Sequence, residues 1–205
     1  MTLLNGFTEE ELRDLRRLKD PYGIQKFLYD LPYHHADTAW SPRRVLQEKT
    51  AHCLEGAIFA ACALRVNGYP PLIVDLEAKR DTDHILAVYR TDGFWGAIAK
   101  SNFTGLRYRE PVYRTIRELV MSYFDEYFNL LGERTLRKYS SCVNLKRFDH
   151  FSWMTTNKPI WFIVDYLMKI PHVALVSEIQ ISRLHRVDER SLRAGLLGYS
   201  EKTIG

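Results

Sequence analysis

Glu48 to Asn67 reads EKTAHCLEGAIFAACALRVN, and between Cys53 and Leu64 its only charge is Glu55. So apolar a run is the pattern of a helix buried on all sides, not of an amphipathic surface helix. The polar lead-in Glu48-Lys49-Thr50 sets the start at or just before Cys53. The end is set by Gly68, free to take a left-handed C-cap, and by Pro70. Cys53 then lies in the first turn, where unpaired backbone N–H groups and the helix dipole favour a thiolate. Cys62, mid-helix among alanines, reads as an inert core thiol.

Upstream of this helix the chain is punctuated by caps. Thr8 and Glu11 have capping-box spacing before the stripe Leu12, Leu15, Leu18; Asp20-Pro21 starts a second helix, and Ser41-Pro42 a short third one after the loop YHHADTAW. Downstream the hydrophobic period changes. LIVDLEA (Leu72 to Ala78) and HILAVYR (His84 to Arg90) read as strands, and Thr91-Asp92-Gly93 signals a hairpin that returns as FWGAIAK from Phe94. The expected class is α+β, an antiparallel meander backed by the buried helix.

Further on, Glu110 to Asn129 carries Val112, Ile116, Leu119, Val120, Tyr123 and Phe124 at helical spacing and predicts one long helix. Asn144 to Phe148 fits a short strand, IWFIVDYLMKI after Pro159 a buried helix, and Asp188 to Leu197 a last helix ending at Gly198. His172 to Leu184 fits helix and strand alike. With 205 residues, 46% hydrophobic and 13% aromatic, the chain suits one domain. A division near Tyr139 would leave residues 139–205 as a helical extension packed on the core.

The formal charge of +4 comes from Lys and Arg scattered among carboxylates, which argues against a nucleic-acid surface. Three cysteines without CxxC spacing, and no apolar signal segment, set cytoplasmic residence as the expectation. No apolar run reaches the roughly 18 to 20 residues of a membrane span. His34-His35 and His52 lack the spacing that converges metal ligands, so no metal and no cofactor are expected. Arg107, Arg109 and Arg114 read as a solvated or acid-binding surface.

The chemistry rests on Cys53 and His84. A cysteine that starts a buried helix and a histidine that starts a strand packed on it can bring thiol and imidazole together, the pairing thiol catalysis needs. A third group should orient the ring. If the hairpin loop is Thr91 to Gly93, His84 faces Lys100; if it is Asp92-Gly93 alone, His84 faces Ser101, with Asn102 one step on.

SPRRVL (Ser41 to Leu46), AHCLEGAIFAACALRVNGYPPLIV around Cys53, DHILAVYR at His84 and FWGAIAKSNF together resemble the transglutaminase-like family of the papain-like cysteine superfamily. That resemblance implies Cys53 as nucleophile and His84 as base. It also implies an orienting residue at the end of the following strand, and acyl chemistry through a thioester on a peptide, amide or small acyl substrate. Where the family places an aspartate this chain has Ala99-Lys100-Ser101-Asn102, so Asn102 or Ser101 would take the role, and Leu86 stands where an aromatic is common. Gln47 lies at the interval from Cys53 at which papain-like enzymes carry an oxyanion-hole glutamine. A solvent-facing side chain is the plainer reading of it, and the Cys53 N–H is the firmer oxyanion donor. Two readings follow: a cofactor-free thiol hydrolase or acyltransferase, or a module that keeps the fold as a binding scaffold without catalysis.

Overall fold

The computed structural model describes residues 6–200. Local caps place the first helices as the sequence predicts. α1 (Glu9–Arg17) begins at Thr8, whose hydroxyl accepts from the Glu11 N–H while the Glu11 carboxylate accepts from the Thr8 N–H. α2 (Pro21–Asp30) and α3 (Pro42–Glu48) start from Asp20 and Ser41, each with proline at the first helical position, where its missing N–H costs nothing. α4 (Cys53–Val66) is buried continuously from Leu54 to Leu64 and stops before Gly68 at φ +92°. It packs against α1, α2 and α3 on one side and the sheet on the other.

Among the described residues the sheet has seven strands, β1 (Leu72–Ala78), β2 (His84–Thr91), β3 (Phe94–Ile98), β4 (Arg109–Tyr113), β5 (Leu136–Ser140), β6 (Val143–Asn144) and β7 (His172–Ala174). Their order is β4-β3-β2-β1-β5-β7, with β6 also on β1, and every pair is antiparallel. The fold is therefore α+β. Side chains alternate across the sheet. Ile73, Ile85, Ala87 and Tyr89 enter the core that contains α4. Val74, Leu76, Leu86 and Val88 enter a second core with Leu119, Tyr123 and Tyr127. Thr91 pairs with Phe94, and Asp92 and Gly93 form the loop at φ 51° and 87°, the double left-handed geometry of a two-residue hairpin.

The second half departs from the sequence reading. The helix expected over Glu110 to Asn129 is an edge strand, β4, followed by the short α5 (Ile116–Met121) and turns. Pro111 is tolerated on an edge, and Thr115 restarts the chain by accepting from the Glu118 N–H. Beyond Met121 the aromatic residues serve distant backbone: the Tyr123 hydroxyl donates to the Arg107 carbonyl and that of Tyr127 to the Thr82 carbonyl, both at 2.7 Å. Tyr139, where the sequence suggested a division, lies inside β5, which pairs directly with β1, and β6 and β7 belong to the same sheet. Asn144 ends β6 and the chain continues as a 3-10 helix, Leu145–Phe151. α6 (Trp161–Leu167) buries Ile163 and Leu167 but leaves Trp161 exposed, so it is one-sided. The ambiguous His172 to Leu184 stretch divides into β7 and α7 (Glu178–Ile181), and α8 (Glu189–Gly195) starts from Asp188. Among the described residues no helix is long and apolar enough to cross a membrane.

Candidate functional site

Cys53 is the first residue of α4 and half-buried; His84 is the first residue of β2 and 4% exposed. Both line one cleft of about 600 Å³, together with Ser101 and Asn102. The cleft's remaining walls come from the loop Tyr33–Thr38, the turn between β1 and β2, Tyr127, and α6. Thus the topology gathers groups that are far apart in sequence.

The two central groups reach the cleft from different layers. Leu76 lies directly across from His84 in the β1–β2 ladder, and Leu76 belongs to the core on the face away from α4. His84 accordingly sits edge-on to Tyr127, with ring centroids 6.4 Å apart. Its Nε2–H donates to the Leu106 carbonyl at 2.9 Å. A carbonyl can only accept, so this bond fixes the proton on Nε2. Burial pushes the imidazole down to about 4, with the Leu106 bond opposing, so at neutral pH the ring is neutral and Nδ1 holds its lone pair. Burial pushes the Cys53 thiol up to about 11 against the backbone N–H groups of the helix start, so the resting thiol is protonated. Among the described residues no hydrogen bond joins sulfur to imidazole.

Ser101, Asn102 and Lys100 were the sequence's candidates to orient His84, and the Leu106 carbonyl holds that ring instead. The register argument fails because the β2–β3 ladder ends at Ala87 and Ile98. Beyond it the buried Gln25 side chain takes both backbone groups of Ala99, donating to its carbonyl and accepting from its N–H at 3.0 Å. Lys100 turns inward to donate its ammonium to the Leu28 carbonyl at 2.7 Å and to the Leu31 carbonyl, closing the C-terminal end of α2. Burial lowers that amine to about 8. The Ser101 hydroxyl accepts from the Phe103 N–H. Asn102 donates to the Ser200 carbonyl at 2.7 Å and accepts from its N–H at 3.1 Å, tying the end of the described chain to the rim. Gln47 lies on the exposed side of α3 and does not line the cleft, which removes it from an oxyanion role.

Several participants carry no sequence signal. Tyr33 pairs with Ala51 in a backbone bridge, which sets its ring near the start of α4; burial and the neighbouring Cys53 push its hydroxyl above the usual phenol range. Glu55, fully buried, accepts at Oε1 from the Thr38 hydroxyl (2.6 Å) and the Trp40 N–H (3.1 Å), and at Oε2 from His34 Nδ1 (2.9 Å) and the His52 N–H (3.3 Å). The His34, His52 and Glu55 ligand-type atoms lie within 4.8 Å of one another, a convergence the sequence spacing had argued against. These three could hold a metal ion only by giving up present bonds, since His34 Nδ1 is spent on Glu55 and His52 Nε2 on the Thr38 carbonyl at 2.8 Å. As built, the group brackets the Tyr33–Thr38 wall to α4.

Compared with known protein families and with curated proteins, the chain matches none.

Proposed function

We propose that this protein is a thiol-dependent acyl enzyme of the transglutaminase-like kind, acting on an amide, peptide or other small acyl substrate without a cofactor. The reading is carried by one observation: Cys53, at a helix start, and His84, with its tautomer fixed by Leu106, line the same cleft. Cys53 Sγ attacks the substrate carbonyl carbon while His84 Nδ1 takes the thiol proton. The Cys53 N–H, which has no intrahelical partner at the first turn of α4, receives the developing oxyanion, with the Tyr33 hydroxyl beside it. Collapse forms a thioester and expels the amine, which leaves with the proton from His84. Water, or an acceptor amine, then cleaves the thioester and restores the thiol. Contact between sulfur and imidazole forms with substrate bound, since catalytic hydrogen bonds are commonly long in the free enzyme.

Modification by iodoacetamide at near-neutral pH tests this. Cys53 is expected to react ahead of the half-buried Cys142 and the buried Cys62, and His84→Ala to slow it about a hundredfold, the low end for general-base assistance. Ser101→Ala and Asn102→Ala should leave the rate unchanged, because neither side chain hydrogen-bonds to His84. An unchanged rate in His84→Ala, or preferred labelling of Cys142, defeats the catalytic reading.

A second reading is favoured by the protonated thiol and the missing sulfur–imidazole bond: the cleft binds an acyl or peptide ligand without turning it over. In that case His84 is structural, and Cys53 reacts at the same rate with or without it.

A further inference from the structure

Although the protein is cationic overall, the charged side chains that line the cleft are all carboxylates. Asp37, Asp75, Asp81 and Asp83 face it, and among the described residues no lysine or arginine does. Three of the four cluster at the β1–β2 end. Tyr127 is their common neighbour: burial, and then the charges of Asp81, Cys53, Asp83 and Asp75 around it, push its hydroxyl well above the usual range. The acidic group and the thiol line the same cavity.

These carboxylates are held in place but incompletely compensated. Asp81 accepts from the Thr135 hydroxyl (2.7 Å) and the Thr82 N–H (2.9 Å), and Asp83 Oδ1 from the Ala78 N–H (2.8 Å). Asp75 is 7% exposed, and its Oδ2 meets His172 Nε2 at 2.8 Å. Its Oδ1, and Oδ2 of Asp83, accept no hydrogen bond among the described residues. Burial raises all three above the ordinary carboxylate value, although Asp83 is the most exposed of them, and among the described residues none is paired with lysine or arginine, Asp75 meeting only His172. Partly desolvated carboxylates that no guanidinium or ammonium matches are where an incoming positive charge gains most. Architectural carboxylates here are treated otherwise, Asp149 being matched by the Arg65 guanidinium through both of its oxygens.

We propose that the cleft selects a substrate bearing an alkylammonium or guanidinium group beside the acyl carbon, seated between Asp75 Oδ1 and Asp83, and disfavours anionic substrates. The proposal rests on the acyl-enzyme reading only for the word substrate; the charge selection itself is a property of the cavity around Cys53. A cationic side chain reaching Asp75 would lay its methylenes along the apolar residues that share the cleft, Tyr127 and Leu106 among them.

Charged methanethiosulfonates measure this without turnover. In a Cys142→Ser background, Cys53 is modified by the trimethylammonium-ethyl and the sulfonato-ethyl reagents at low ionic strength, each rate divided by that with a small free thiol. The cationic reagent is expected to be favoured about tenfold or more. That preference should fall several-fold in Asp83→Asn, whose exposed site tolerates the change, and in Asp75→Asn, and also in 1 M salt. A ratio near one or inverted, or a preference that survives both substitutions, overturns the proposal. Preference for the cation with no effect of His84→Ala on labelling refutes the catalytic reading and keeps this one. Loss of rate in His84→Ala with no charge preference does the reverse.

Discussion

Glu55 and Asp75 are both carboxylates nearly closed to solvent, on opposite walls of the same cavity's framework, and the protein treats them differently. Glu55, on the helix side, takes four hydrogen bonds from two stretches of chain, the loop before α3 and the residue before α4. Asp75, on the strand side, takes one at its side chain and leaves an oxygen open. The first anchors a wall; the second leaves one oxygen without a protein partner among the described residues. Buried polar groups that are fully matched specify structure, whereas a partly matched one is costly unless something else completes it.

The contrast is most directly broken at Glu55 itself. Glu55→Ala strands four donors and is expected to cost about 4 kcal/mol, or roughly 10 °C in Tm for a chain of this size, measured by urea and thermal unfolding. Asp75→Asn, which keeps shape and one acceptor, should cost about 1 kcal/mol. Equal losses would erase the distinction between the two walls.

His84 gives the next largest effect and sharpens the account of the strand wall. Its folded value near 4 lies below the ordinary 6.5, so the unfolded chain binds the extra proton between those values. Stability is therefore fully present above pH 6.5, lost as pH falls toward 4 and constant below, by on the order of 3 kcal/mol. The raised carboxylates Asp75, Asp81 and Asp83 act with the opposite sign. Urea titrations of wild type and His84→Gln across pH 7 to 4 isolate the histidine term, and parallel curves would mean that the ring is not held neutral.

Gly56 concerns how the helix wall meets the segment after β3. A Cβ at Gly56 would stand 2.4 Å from Lys100 Cβ. Helix propensity alone would make Gly56→Ala stabilising by about 1 kcal/mol; the contact is expected to reverse the sign, to a loss of about 2 kcal/mol by chemical denaturation.

The same division runs through what could be read from sequence. From Thr8 to Ile98 the elements follow one another with local punctuation: Thr8, Asp20, Ser41 and Gly68 mark boundaries by chemistry that acts within a few residues. The α4 pattern and the meander after it are likewise local. Past Ile98 the decisive forces are long-range. Gln25 ends a strand it does not belong to, Lys100 closes a helix seventy residues earlier, and β5 finds its partner in β1, so periodicity in residues 110–129 misleads. In the site, Cys53 and His84 were legible because each begins an element. Leu106, which holds His84, works through a backbone carbonyl that any residue would supply, and no side-chain pattern can announce it.

The clamp between Asn102 and Ser200 has a consequence in time. A ribosome delivers the chain from its N-terminal end, so the helix of Cys53 and the hairpin of His84 are available to fold early. Trp161 and Met168 arrive much later, and Tyr199 after every other described part of the wall. Until residue 199 has been made, a nascent chain holds its thiol in a cavity still lacking one side.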